Sequence, residues 1–214
     1  MSFDHLAPFY CGMEFVLAGE KLQRCRLAWL GEVKDCRRVL IAGQGPGRFL
    51  TECAKALPEA RIHCVDASAG MIQRAKLALQ RKRLDSDRIT FEQATLPDWH
   101  PPKGEFDLLV THFFLDCFPP DRLRQVVSRL ASAAQPGAKW LLADFCEPPR
   151  GLARWRAKSI LALAYVFFNL TTGLAARRLT APDKYLEQFA LKLKRRRTCD
   201  GGLLHSDLWV GQGL

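Results

Sequence analysis

No Cys-x-x-Cys pair occurs in this 214-residue sequence, although it holds eight cysteines, at 11, 25, 36, 53, 64, 117, 146 and 199. Spacings that wide exclude a zinc site or a disulfide framework. Several of the thiols fall in apolar runs, as Cys64 does in Ile62-His63-Cys64-Val65. They read as buried, reduced cysteines, and no metal is expected. The opening Met1-Ser2-Phe3-Asp4-His5 has neither a basic stretch nor a clean apolar run behind it. No targeting leader is therefore expected, and the expected location is cytoplasmic. Internal repeats and low-complexity tracts are missing too. With 48% hydrophobic, 25% charged and 10% aromatic residues, the composition is that of a folded domain and excludes a disordered chain.

Acidic residues are scarce in one place. Between Arg150 and Arg197 there are 12 Lys and Arg against Asp183 and Glu187 alone, which equals the whole net charge of +10. A uniformly basic nucleic-acid binder would spread its charge, so no nucleic-acid partner is expected. A solvated basic face, an acidic substrate or peripheral contact with an anionic membrane through 150–197 all fit this asymmetry.

What is present alternates. Arg38-Val39-Leu40-Ile41-Ala42 is a short apolar run ended by glycines, and a helical pattern follows from Phe49 to Leu57. Arg61 to Val65, Arg88 to Phe91, Phe106 to Thr111 and Ala138 to Phe145 read as further strands. Helices are expected over Met71 to Leu84 and from Pro119-Pro120-Asp121 to Ala134, with Gln135-Pro136-Gly137 as a turn. Strands without internal polar alternation, separated by helices, predict a parallel sheet covered on both faces. Helices are also expected within 1–35, where Gly31 offers a stop, and over Trp155 to Ala176. Ala190 to Cys199 and Leu203 to Val210 flank Asp200-Gly201-Gly202, a hairpin signal. The expected fold is α/β: a Rossmann-like, seven-stranded, mostly parallel sheet with a C-terminal antiparallel hairpin and helices on both faces. One domain spans 1–214, divided into an N-terminal helical lid (1–35), a binding core (36–146), a helical cap (147–190) and the closing hairpin (190–214).

The central motif is Gly43-x-Gly45-x-Gly47, directly after a strand and before a helix. Glycines there let a ligand come close to the backbone, and the helix behind them presents free N–H groups to a carboxylate or phosphate. A dinucleotide fold would want its third glycine at position 48, where Arg48 stands, and the Tyr-x-x-x-Lys pair of short-chain dehydrogenases is missing. Asp66 ends the second strand, 19 residues after Gly47. A carboxylate at that point sits beside the glycine turn and can accept from both hydroxyls of a ribose, or it can cap the following helix. Gln93-Ala94-Thr95 follows the third strand, where an amide or hydroxyl can read a base edge.

In order and spacing, Gly43 to Gly47, Asp66, Gln93-Ala94 and Phe106-Asp107-Leu108-Leu109-Val110 resemble the class I S-adenosylmethionine-dependent methyltransferases. The resemblance covers roughly residues 1–214, since the closing hairpin is similar to that family's sixth and seventh strands. Leu6-Ala7-Pro8-Phe9-Tyr10 is similar to the start of its ubiquinone/menaquinone-type branch. The resemblance implies S-adenosyl-L-methionine as cofactor. Gly43, Gly45 and Gly47 would face its methionine part, Asp66 the ribose, and Met71 and Gln93-Ala94 the adenine, with Gln44, Ala67 and Thr95 also counted among the cofactor-binding positions. One position departs from the pattern: the family carries Asp or Glu where this chain has Ile41, to hold the methionine amine or organise the loop. Either another group makes that contact, or cofactor binding is weakened.

The fourth strand ends in Thr111-His112-Phe113-Phe114-Leu115-Asp116-Cys117-Phe118, which in this fold borders the methyl group. His112 is the best-placed titratable group there, as a base or as a cofactor contact. Asp116 is expected to orient His112 or to cap the next helix, and Tyr10 to close over the cofactor. These three are the catalytic candidates. The Asn/Asp-Pro-Pro-Tyr/Phe signature of nucleic-acid amine methylation is absent after this strand. Ser159 to Ala176 is an uncharged run, expected as a buried helix capping the acceptor pocket, lying on a membrane as the alternative. The expectation is methyl transfer to a hydrophobic small molecule, quinone- or lipid-like. A non-catalytic cofactor-binding protein and a basic membrane-surface module are the alternatives.

Overall fold

A computed structural model describes residues 19–84, 86–148, 150–151, 154–161 and 179–212. Seven strands form one sheet: β1 (Arg38–Ala42), β2 (Arg61–Asp66), β3 (Ile89–Gln93), β4 (Phe106–His112), β5 (Ala134–Phe145), β6 (Leu191–Cys199) and β7 (Leu204–Gly211). Their order is β3-β2-β1-β4-β5-β7-β6. The first five run parallel, and β7 lies antiparallel between β5 and β6. The chain starts at the centre with β1, winds outward to β3, returns to β4 beside β1 and winds the other way. Such a reversal opens a crevice at the carboxyl ends of β1 and β4, the place where doubly wound sheets bind ligands.

The helices are α1 (Gly19–Leu27), α2 (Arg48–Ala56), α3 (Ala69–Arg81), α4 (Pro120–Ala133), α5 (residues 154–161) and α6 (Asp183–Gln188). On one face of the sheet, Leu40, Leu109, Trp140 and Trp209 pack with Leu123, Val126 and Leu130 of α4 and Leu186 of α6. On the other, Val39, Ile41, Ile62 and Val110 pack with Phe49, Leu50 and Leu79 of α2 and α3. Near-continuous apolar strands are what burial on both faces requires. A third cluster joins Leu22 and Cys25 of α1 to Ala157 and Leu161 of α5 over Leu203 and Leu204.

Polar groups fix the joints. The Asp107 carboxylate accepts from the backbone N–H groups of Arg37 and Arg38 at 2.7 and 2.9 Å, which anchors the start of β1 to β4. The Arg88 guanidinium donates to the carbonyls of Ala54, Leu57 and Ala60, groups the end of α2 leaves unpaired. Asp207 is fully buried, yet it accepts from Arg196 Nε and Nη2 at 2.8 and 2.6 Å and from Trp209 Nε1, with His205 Nδ1 at 3.0 Å. That cluster ties the two hairpin strands together.

Four expectations need correcting. The helix over Met71 to Leu84 ends at Arg81, because the chain turns left-handed at Arg83 (φ 54). Gln135-Pro136-Gly137 is no turn between elements: β5 begins at Ala134, opposite Phe106, and these residues are absorbed as a register shift before Leu108 meets Lys139. Gly31 does not stop a helix; it lies inside a 3-10 turn over Leu30–Val33. Asp66 does not cap α3, since Ser68 does so by accepting from the Met71 N–H at 3.2 Å. The lid residues 1–18 and most of the uncharged run, 162–178, lie outside the described residues.

Candidate active site

The site is built where β1 and β2 end. The apolar run of β1 stops at Gly43, and the turn to α2 holds Gly43, Gly45 and Gly47, all at positive φ. Their reasons differ. A Cβ on Gly43 would stand 2.4 Å from the Phe114 ring, and one on Gly47 would stand 2.8 Å from the Ala75 backbone of α3. Gly45 has nothing within 4 Å of that place. So Gly45 presents bare backbone to open space, Gly43 makes room for an aromatic ring, and Gly47 lets two helices approach. At Gly47 the missing Cβ is explained by helix packing.

Asp66, half-buried at the end of β2, accepts from the Gly45 N–H with Oδ2 at 3.1 Å and from the Ser68 N–H with Oδ1 at 2.9 Å. The carboxylate and the open glycine are thus direct neighbours. The Gln93 amide, exposed, donates to the Ala67 carbonyl at 3.3 Å, and the Ala94 N–H donates to the Asp66 carbonyl at 3.1 Å. Thr95 is exposed beside them, and Met71 is buried in the first turn of α3.

Beneath the turn lies a cavity of about 40 Å³ lined by Arg26, Ile41, Gly43, Gln44, Gly45, Arg48, Phe49, His112 and Phe113. At about 10–15 Å³ per water it has room for roughly three waters, the scale of an amino-acid headgroup. Both side-chain polar atoms of Gln44 and both ring nitrogens of His112 are buried and find no hydrogen-bond partner among the described residues. Unpaired buried polar groups are costly, so a polar ligand is the economical explanation. Burial, with the Arg26 guanidinium adding to it, holds the His112 imidazole well below its usual range, and the ring is neutral at physiological pH. Phe49 meets that ring edge-on at 4.4 Å between centroids. These features fit S-adenosylmethionine: a carboxylate for the ribose, bare backbone beside it, and polar groups for the amino-acid tail.

Three comparisons bear on this geometry. A model described as a methyltransferase domain matches residues 39–137. The trans-aconitate 2-methyltransferase of Rhodopseudomonas palustris (strain BisB18) is 33% identical over 103 residues, covering 48% of this chain and 36% of that protein. The N-methyltransferase NodS of Bradyrhizobium japonicum WM9, solved with S-adenosyl-L-homocysteine, superposes with a TM-score of 0.63 at 16% identity, over 89% of this chain and 83% of NodS. The mitomycin 7-O-methyltransferase MmcR gives 0.71 at 17% identity, over 99% of this chain and 61% of MmcR. Residues 39–137 are thus similar to a methyltransferase domain, and the chain has the fold of these methyltransferases. The match spans about a third of the length of the curated relatives, and the solved structures share the fold.

Asp116 stands apart from its expected roles. No hydrogen bond joins it to His112, and α4 starts at an N-cap, Pro119, without a side-chain cap. Its partner is Asp144, near the end of β5, which the sequence reading did not single out. Burial pushes the Asp116 carboxyl up to about 6. Burial, and then the neighbouring Asp116, push the Asp144 carboxyl well above the ordinary carboxylate range. Asp144 shares a hydrogen bond with the Asp116 carboxyl, and the backbone N–H of Phe114 also reaches it. A lone acid inside Trp140-Leu141-Leu142-Ala143-Asp144-Phe145 was the available signal.

Arg26 was also missed. It is 8% exposed, and its guanidinium stacks over Phe113 at 5.0 Å while lining the cavity. Phe113 sits at positive φ (53) and meets Phe145 at 5.3 Å. The Tyr10 expectation falls outside the described residues.

Proposed function

We propose that the protein transfers a methyl group from S-adenosylmethionine to an apolar small molecule, quinone- or lipid-like, that also bears an anionic group. The observation that carries this reading is the pairing of Asp66 with Gly45 beside a cavity whose buried Gln44 and His112 have no partners. When bound, the cofactor supplies a methyl already activated on a sulfonium, so the protein's work is alignment and exclusion of water. Asp66 holds the ribose hydroxyls, while Gln93, Ala94 and Thr95 border the base. Gln44, Arg26 and the neutral His112 receive the amino-acid tail. With one lone pair and one N–H, neutral His112 can accept from the ammonium that an acid at position 41 would otherwise hold. Its low basicity suits that role better than proton abstraction. On the acceptor side, Phe113 and Phe145 offer an apolar wall, and the basic segment 150–197 supports a negative group on the acceptor.

Ile41 favours a second reading, a protein that binds the cofactor without transferring methyl. It is 3% exposed and part of the core, with no acid in its place. Methyl-labelled cofactor, incubated with the protein and panels of phenolic quinols, lipid acids and trans-aconitate, separates the two. Label in an apolar acceptor supports transfer to that class, and label in trans-aconitate alone overturns the acceptor proposed here. Saturable cofactor binding with no label in any acceptor or extract supports the second reading.

A further inference from the structure

Part of the excess charge lies on one side of the sheet, along β6 and α5. In β7, Leu204 and Leu208 face the α1, α2 and α5 side, where they join those helices' clusters. Register carries β6 along: Arg195 lies opposite Leu208 and Arg197 opposite Ser206, so both project to that side, as does Lys192 opposite Val210. All three are exposed on an edge strand, and no acid pairs with them among the described residues. Arg196, one step out of phase, points to the other side and is spent on Asp183 and Asp207.

Beside this edge stands α5. Ala157 and Leu161 bury its inner face against Leu203 and Leu204, and Arg156 reaches Asp200 at the hairpin tip. Trp155 is consequently turned outward, 73% exposed, between exposed Arg154 and Lys158. Lys21 and Arg24 of α1 extend the surface, with Asp200 the acid shared by Lys21 and Arg156. A large bare aromatic surrounded by cations is the composition of a headgroup-level anchor. A polyphosphate would also meet the cations. The chain, however, continues from Lys158 into 18 residues without a charge, which suits lipid better.

We propose that this face docks on an anionic phospholipid surface, with Trp155 inserted at the headgroup level and Lys158, Lys192, Arg195 and Arg197 meeting lipid phosphates. No helix among the described residues is long and apolar enough to cross a membrane, so the contact is peripheral. The inference stands on surface geometry and does not depend on methyl transfer.

Co-sedimentation of the full chain with vesicles tests it, using phosphatidylcholine alone and phosphatidylcholine mixed with phosphatidylserine. Binding is expected for the mixed vesicles and to fall as salt rises. An Arg195→Glu/Arg197→Glu pair should cut the partition coefficient by 25-fold or more, at about fivefold per cation removed near such a surface. Trp155→Ser should weaken binding with the salt dependence kept, and the blue shift of fluorescence on binding should vanish in Trp155→Phe. Retained binding of S-adenosylhomocysteine shows that each variant is folded. Equal binding to neutral vesicles, binding untouched by these substitutions, or stronger capture by single-stranded nucleic acid than by vesicles would each overturn the proposal.

Discussion

At the scale of the residue, burial decides the chemistry. Asp144 and Asp116 sit in the core, and both carboxyls are raised, mainly by loss of water. An acid whose folded pKa lies above its unfolded value stabilises the fold at low pH and loses that contribution as pH rises through the folded pKa. Melting temperature is therefore expected to fall as pH climbs from the ordinary carboxylate range past about 6, the value of Asp116. Asp144→Asn, which keeps one hydrogen bond to Asp116 without a second titrating proton, should flatten that fall; an unchanged slope in thermal melts across this range would contradict the pairing. Asp207 is the opposite case. Burial raises it, but Arg196 and His205 prevail and its carboxyl is lowered overall. Asp207→Ala should cost roughly 3 kcal/mol in chemical denaturation, the lower end for breaking a buried ion pair, because Arg196 keeps Asp183.

At the scale of the element, most of the architecture was legible. Apolar runs such as Val39 to Ala42 can be covered only from both sides, and the glycine cluster behind them marks the strand-to-helix turn. Less legible was why each glycine is there. Spacing alone cannot tell Gly45, which opens on a ligand cleft, from Gly47, which stands against Ala75 of a helix distant in sequence. Gly47→Ala meets both a left-handed backbone (φ 83) and that contact, and should lower stability by about 1–3 kcal/mol. Binding of S-adenosylhomocysteine to the folded fraction should stay near its original affinity. A selective loss of binding with stability unchanged would contradict a packing role for Gly47. The role of Asp116 was hidden for the same reason: its partner arrives from β5, and the separation in sequence carries no trace of the contact.

At the scale of the whole molecule, the sheet reversal between β1 and β4 brings Gly45 and Asp66 together at the strand ends, and exposed cations line the far edge strand. The juxtaposition of Gly45, Asp66 and Gln93 was legible because the proposed chemistry demands fixed residue types at fixed strand ends: glycine, a carboxylate, a polar loop. The acceptor half was not, since an apolar pocket can be lined by many sequences and its shape comes from distant segments. Calorimetric titration with S-adenosylhomocysteine tests the central claim most directly. One site per chain is expected, with affinity reduced on the order of 100-fold in Asp66→Ala, the loss of charged hydrogen bonds to a ribose. Absence of any heat or thermal stabilisation at millimolar ligand in the folded wild-type protein, or equal affinity in Asp66→Ala, would contradict it.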